Sequence, residues 1–82
     1  MSVLTLLPKP HKPPSALVQL CVVIRRLEDI LEMKENTRAM YLRDLAKLTD
    51  KDMKSFHYQA ANDCLMDMEA LTQAIALLRG TI

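Results

Sequence analysis

The sequence predicts an all-α fold of two or three helices, the last of them long, arranged as a helical hairpin or bundle and completed by a second copy. Three observations predict it. The only glycine is Gly80, and all four prolines fall between residues 8 and 14, so the 65 residues between Ser15 and Arg79 hold no strong turn-former. Half of the 82 residues are apolar but only Tyr41, Phe56 and Tyr58 are aromatic, so the core is built from Leu, Ile, Val, Met and Ala. Apolar residues recur in steps of three and four, the period of a helix face rather than of a strand.

From the N-terminus, residues 1–14 divide into an apolar piece, Val3 to Leu7, and a proline-rich piece, Pro8 to Pro14. The second reads as an extended, polyproline-like arm leading into the first helix. Pro10 and Pro13 make a P-x-x-P, but without the flanking Lys or Arg at the positions such ligands use, so a stiff lead-in is the better reading. The Val3–Leu7 run is too short for a secretory leader, and Ala16–Ile24 is about half a membrane span. These features predict a cytoplasmic chain that makes no use of a membrane.

Residues 15–82 read as one helical domain. A first helix is expected over about 15–35, with Leu17, Leu20, Ile24, Leu27 and Leu31 spaced 3-4-3-4 as a coiled-coil seam. Val18, Val22 and Val23 lie off that seam, which makes this half of the helix apolar nearly all round and predicts cover on several sides. Arg25 and Asp29 form a possible i,i+4 pair. The seam would next use Lys34 and Arg38, both charged, so a break is expected at Glu35-Asn36-Thr37 with a short helix over 37–48. Tyr41, Leu42, Leu45 and Leu48 would be its apolar face; a single bent helix over 15–48 is the alternative.

The long helix spans about 50–79, roughly 45 Å at 1.5 Å per residue. Its stripe is Met53, Phe56, Ala60, Cys64, Met68, Leu71, Ile75 and Leu78, with Tyr58 and Leu65 widening it on one flank. Thr49 and Asp50 can cap its start, and Gly80 can end it in a left-handed conformation. A helix apolar over half its circumference exceeds what 82 residues can readily cover.

The charge balance excludes several functions. Eleven Lys and Arg against ten Asp and Glu leave a net charge of +1, unlike the strongly basic balance of proteins held by many phosphate contacts. No Gly-rich phosphate loop, H-E-x-x-H or nucleophile with a neighbouring base occurs, so no catalytic residue, metal ligand or cofactor is expected. His57 and Cys64 share a helix face but have only Ala60, Ala61 and Met68 around them, too few ligands for zinc. Asp63 and Asp67 read as a solvated acidic patch, and Cys21 and Cys64 as buried thiols acting as small hydrophobes. Six methionines read mainly as core filling.

The remaining reading is a small, non-enzymatic interaction or regulatory protein. It would form a homodimer and bind a larger protein through Leu17, Leu20, Val22, Val23, Ile24, Leu27, Tyr58, Leu65, Met68 and Leu71. Small accessory proteins of bacteria and phages offer an analogy in size and composition only. The alternative is nucleic-acid binding, because Leu42 to Phe56 loosely resembles a helix-turn-helix. Lys51, Lys54, Tyr58, Gln59 and Asn62 would then face DNA. Against it, the turn position usually held by Gly is Asp50, and Asp63, Asp67 and Glu69 would repel phosphate.

Overall fold

The computed structural model describes residues 15–81, and the arm over 1–14 and Ile82 lie outside them. The described residues form two helices, α1 over Ala16–Leu45 and α2 over Lys51–Arg79, joined by a five-residue connection and packed against each other. No strand occurs among them. Contacts of Glu28 with Arg79, Lys34 with Asp67 and Tyr41 with His57 run in opposite order along the two helices, so the pair is an antiparallel hairpin.

Both helices start on caps that the chain itself supplies. Ser15 accepts a hydrogen bond from the Val18 amide at 3.2 Å, and Asp50 accepts one from Met53 at 2.9 Å. Each satisfies one of the free N–H groups of a first turn, and the Asp50 carboxylate also suits the positive end of the helix dipole. Asp50, rather than Thr49, is the capping residue of α2. At the far end Gly80 keeps right-handed angles, φ −66° and ψ −14°, so the expected left-handed cap is not formed. The helix tightens instead: Thr81 donates to the Leu78 carbonyl from both its amide and its hydroxyl, and the glycine's conformational freedom goes unused.

The expected break at residues 35–37 is absent, and α1 runs without interruption through Glu35, Asn36 and Thr37. Asn and Thr cost a helix interior only a few tenths of a kcal/mol each, which tertiary packing overrides. The Thr37 hydroxyl returns to the Met33 carbonyl one turn back at 2.9 Å, so it is satisfied without leaving the helix. The seam itself also continues. Among the half-buried or buried residues of α1, those at 20, 24, 27, 31, 34, 38, 41 and 45 keep strict 4-3 alternation, with Glu28, Ile30, Thr37 and Asp44 half-buried beside them. Lys34 and Arg38 are therefore seam residues whose long apolar stems pack; the Lys34 ammonium reaches Asp67, while the Arg38 Nε stays buried.

The matching ladder on α2 is His57, Ala61, Cys64, Met68, Leu71, Ile75 and Leu78, again in 4-3 alternation. This corrects the expected stripe at its N-terminal end, where Met53 and Phe56 are exposed and His57 and Ala61 take the seam. The residue across the seam decides it. The Tyr41 ring meets the His57 ring edge-on, with centroids 5.5 Å apart, and Phe56 flanks the histidine from outside at 5.6 Å.

A proline at position 37 distinguishes the continuous helix from the two-helix reading. At the first residue of a separate helix proline would be accommodated; inside α1 it removes a backbone bond and clashes with the preceding turn, costing about 3 kcal/mol or more. Thr37→Pro is expected to abolish the cooperative urea transition seen by circular dichroism, and a transition at unchanged midpoint would refute continuity.

Candidate interaction surface

A hairpin has only one internal seam, and this one covers little. Ile24, Ala61, Cys64 and Ile75 are the only buried residues among those described, and none is a large side chain fully out of water. Twelve large apolar side chains stay exposed, among them Val22 at 62%, Tyr58 at 66%, Phe56 at 60% and Leu77 at 74%. Single exposed apolar residues are ordinary, but this many on a short chain, arranged by helical period, form a surface.

The heptad sorts that surface into two flanks. In an antiparallel pair the positions beside the seam meet like with like. One flank carries Glu28, Leu42, Tyr58, Leu65 and Arg79, with an ion pair between Arg79 and Glu28. On this side Arg38, Leu42, Tyr58, Ala61, Asn62 and Leu65 line a small hollow. The other flank carries Val23, Ile30, Met33 and Met40 from α1, and Met53, Phe56, Ala60, Ala70, Ala74 and Leu77 from α2. Here Ile30, Lys34, Asp67, Ala70, Leu71 and Ala74 line a shallow groove. The first flank is rich in charge and the second is mostly apolar.

The residues proposed from sequence as a contact surface separate accordingly. Leu20, Ile24, Leu27, Met68 and Leu71 lie on the internal seam, where the chain's own second helix covers them wholly or in part. Leu17, Val22, Val23 and Tyr58 are exposed and Leu65 is half-buried. The expected cover over Val18, Val22 and Val23 is not supplied by the described part of this chain. Cys21 is exposed, not buried as expected, while Cys64 is buried in the seam. Met33, Met40, Met53 and Phe56 are surface residues that sequence reading assigned mainly to the core or passed over, while Leu77, expected on a flank of the long helix, is exposed there. Their signal was present as heptad positions on one side of the seam, Met53 beside it and the others one step further out, once Lys34 and Arg38 are accepted as seam residues.

Three ion pairs form among the described residues. Lys34 donates to Asp67 across the helices at 2.9 Å, and the hydrogen bond and charge of Asp67 hold its pKa above the ordinary 10.5. Arg25 and Asp29 pair within α1 at 3.5 Å; both are largely exposed, so the pair adds little. The His57 ring contacts the Met53 carbonyl through Nδ1 at 3.0 Å. Among the described residues no group of three or more His, Cys, Asp or Glu is placed to hold a metal ion, and no helix is long and apolar enough to cross a membrane.

The helix-turn-helix resemblance meets a different geometry. Such a motif sets its two helices at about 90–120°, whereas here α1 lies antiparallel along α2 from Tyr41–His57 to Glu28–Arg79. Lys51, Lys54, Tyr58, Gln59 and Asn62 are all exposed, near Asp50, Asp52 and Asp63.

The class of protein defined by these elements is an antiparallel coiled-coil hairpin with two unequal apolar flanks. Comparison with models of known protein families, with characterised proteins and with solved structures finds no match to the chain.

Two predictions follow from the charged seam. The Arg38 Nε is buried without a hydrogen-bond partner, and such an orphan donor costs about 1–3 kcal/mol. Arg38→Met keeps the packed stem and removes the donor, so the urea midpoint is expected to rise; a fall would mean that the guanidinium is held by interactions that outweigh this cost. For Lys34 the folded pKa is raised, so its stabilisation is complete below pH 10.5 and is lost as pH climbs through the raised value. The stability gap between wild type and Lys34→Met should be constant from pH 7 to 9 and shrink above 10.5. A gap that does not shrink would show that Lys34 acts through its stem alone.

Proposed function

We propose that this chain is a small non-enzymatic interaction protein of the cytoplasm, which associates with itself and acts by occupying a surface on a larger protein. The observation that carries the reading is the imbalance between four buried residues and twelve exposed large apolar ones. Ordering each residue costs roughly 1–2 kcal/mol of backbone entropy, and a seam this narrow offsets little of it. Cover from another chain is therefore part of how the protein holds its shape. The end of α1 that carries Leu17, Val18 and Val22, together with the Tyr58 and Leu65 flank, combines apolar and charged groups in the mixture found on surfaces that meet a second protein.

Nucleic-acid binding is the second reading, carried by Lys51, Lys54, Tyr58, Gln59 and Asn62 on the exposed side of α2. The two readings separate on one pair of measurements. Light scattering across a hundredfold dilution should show more than one chain mass at high concentration. A duplex titration at 50 mM salt should show no binding that weakens as salt is raised. A constant single-chain mass would remove self-association, and salt-sensitive duplex binding would favour the second reading.

A further inference from the structure

We propose that the apolar flank centred on Ile30 and Ala70 is the self-association face. A second copy of this chain would be turned about a two-fold axis running along the hairpin, so that α1 of each copy lies on α2 of the other. The inference rests on the self-association reading above and adds which face is used and how the copies are oriented.

Area is the first argument. Val23, Met33 and Met40 of α1 and Met53, Phe56 and Leu77 of α2 are each between 40% and 74% exposed. Together they leave on the order of 600 Å² of side chain open, most of the roughly 800 Å² that one partner contributes to a standard stable interface. Leu42 and Tyr58 are the large exposed apolar groups beside the seam on the opposite flank, where Glu28, Glu35 and Arg79 share the same positions. That flank therefore offers the smaller exposed apolar area.

Shape is the second argument. The middle of this face is large and apolar on α1, at Ile30, Met33 and Met40, and on α2 sets Ala60, Ala70 and Ala74 beside Asp63 and Asp67, the latter paired with Lys34. The Lys34–Asp67 and Tyr41–His57 contacts set the level of one helix against the other, which places Ile30 level with Ala70 and Met40 level with Ala60. A two-fold axis along the hairpin preserves those levels and exchanges the helices. Large side chains of one copy then fall on the alanines of the other, at both places at once. Alternating large and small residues across facing positions is how helical layers interdigitate, and an isologous contact repeats it by symmetry. The result is a four-helix bundle with this face inside. A net charge of +1 per chain leaves little repulsion between copies.

Sizing with light scattering on the full chain tests it, using three proteins at matched concentration. Wild type is expected at twice the 9.3 kDa chain mass. Phe56→Lys/Leu77→Lys should drop to the single mass or lose its fold, whereas Tyr58→Lys/Leu65→Lys should keep the double mass. Because a variant that unfolds shows only a need for cover, thiol labelling supplies the second readout. In a Cys21→Ser background, maleimide labelling of Met33→Cys should slow at least tenfold between dilute and concentrated protein, and that of Tyr58→Cys should not change. Concentration-dependent protection at Tyr58→Cys, or double mass lost only in the Tyr58/Leu65 pair, would overturn the face assigned here and leave self-association standing. A wild-type monomer at every concentration would overturn self-association as well and leave the face for an unlike protein.

Discussion

The narrowness of a two-helix seam governs the structure. Two helices touch along one line of alternating positions, and here that line supplies Ile24, Ala61, Cys64 and Ile75 as its buried members. Two of the four are small: an alanine and a cysteine remove far less apolar surface from water than a leucine or phenylalanine. The hairpin by itself thus leaves twelve large apolar side chains exposed among the described residues. Of the exposed large apolar residues, Val23, Leu42, Met53 and Tyr58 lie immediately beside the seam, Met33, Met40, Phe56 and Leu77 one position further out, and Val22 and Met66 on the far face.

The two charged seam residues act within the same constraint. Lys34 and Arg38 occupy consecutive core positions of α1, where leucine would bury more area. A polar group at such a position lowers stability but penalises wrong alignments, because its partner is available in one register only. Lys34 meets Asp67 in the observed antiparallel register, and sliding the helices by one heptad separates them. Opposite Arg38 the second helix places Ala61, a residue small enough to admit the long stem. The seam is thus thin where it is specific, which deepens its dependence on the flanks.

Much of this was legible in the sequence, for physical reasons that differ by element. The caps at Ser15 and Asp50, the start of α1 and the whole extent of α2 depend on local hydrogen bonds and on the absence of Gly and Pro, both visible in one dimension. The continuity of α1 was not legible, because charge at Lys34 and Arg38 looks like the end of an apolar pattern. Only the position of Asp67 on the other helix, and the small residue facing Arg38, make those positions acceptable. The N-terminal end of the α2 stripe was misplaced by one residue for a related reason. Ala60 and Ala61 are indistinguishable by hydropathy, and the contact between Tyr41 and His57 chooses between them. As for the surface, the sequence showed that apolar area was in excess; which residues carry the excess depends on which positions the seam consumes.

That last dependence also explains why Tyr58 and Leu65 differ in kind from Met33, Phe56 and Leu77, although all are apolar residues flanking one seam. Tyr58 and Leu65 stand among Glu28, Glu35, Asn62 and Arg79, groups that stay hydrated while an apolar neighbour makes contact, the composition of a surface that can be covered and uncovered. Met33, Phe56 and Leu77 stand among Ile30, Ala60, Ala70 and Ala74, a more apolar setting that still includes the Lys34–Asp67 pair. Methionine and alanine together suit close and adaptable helix packing. A hairpin that presents a wet flank and a dry flank has its division of labour written in composition.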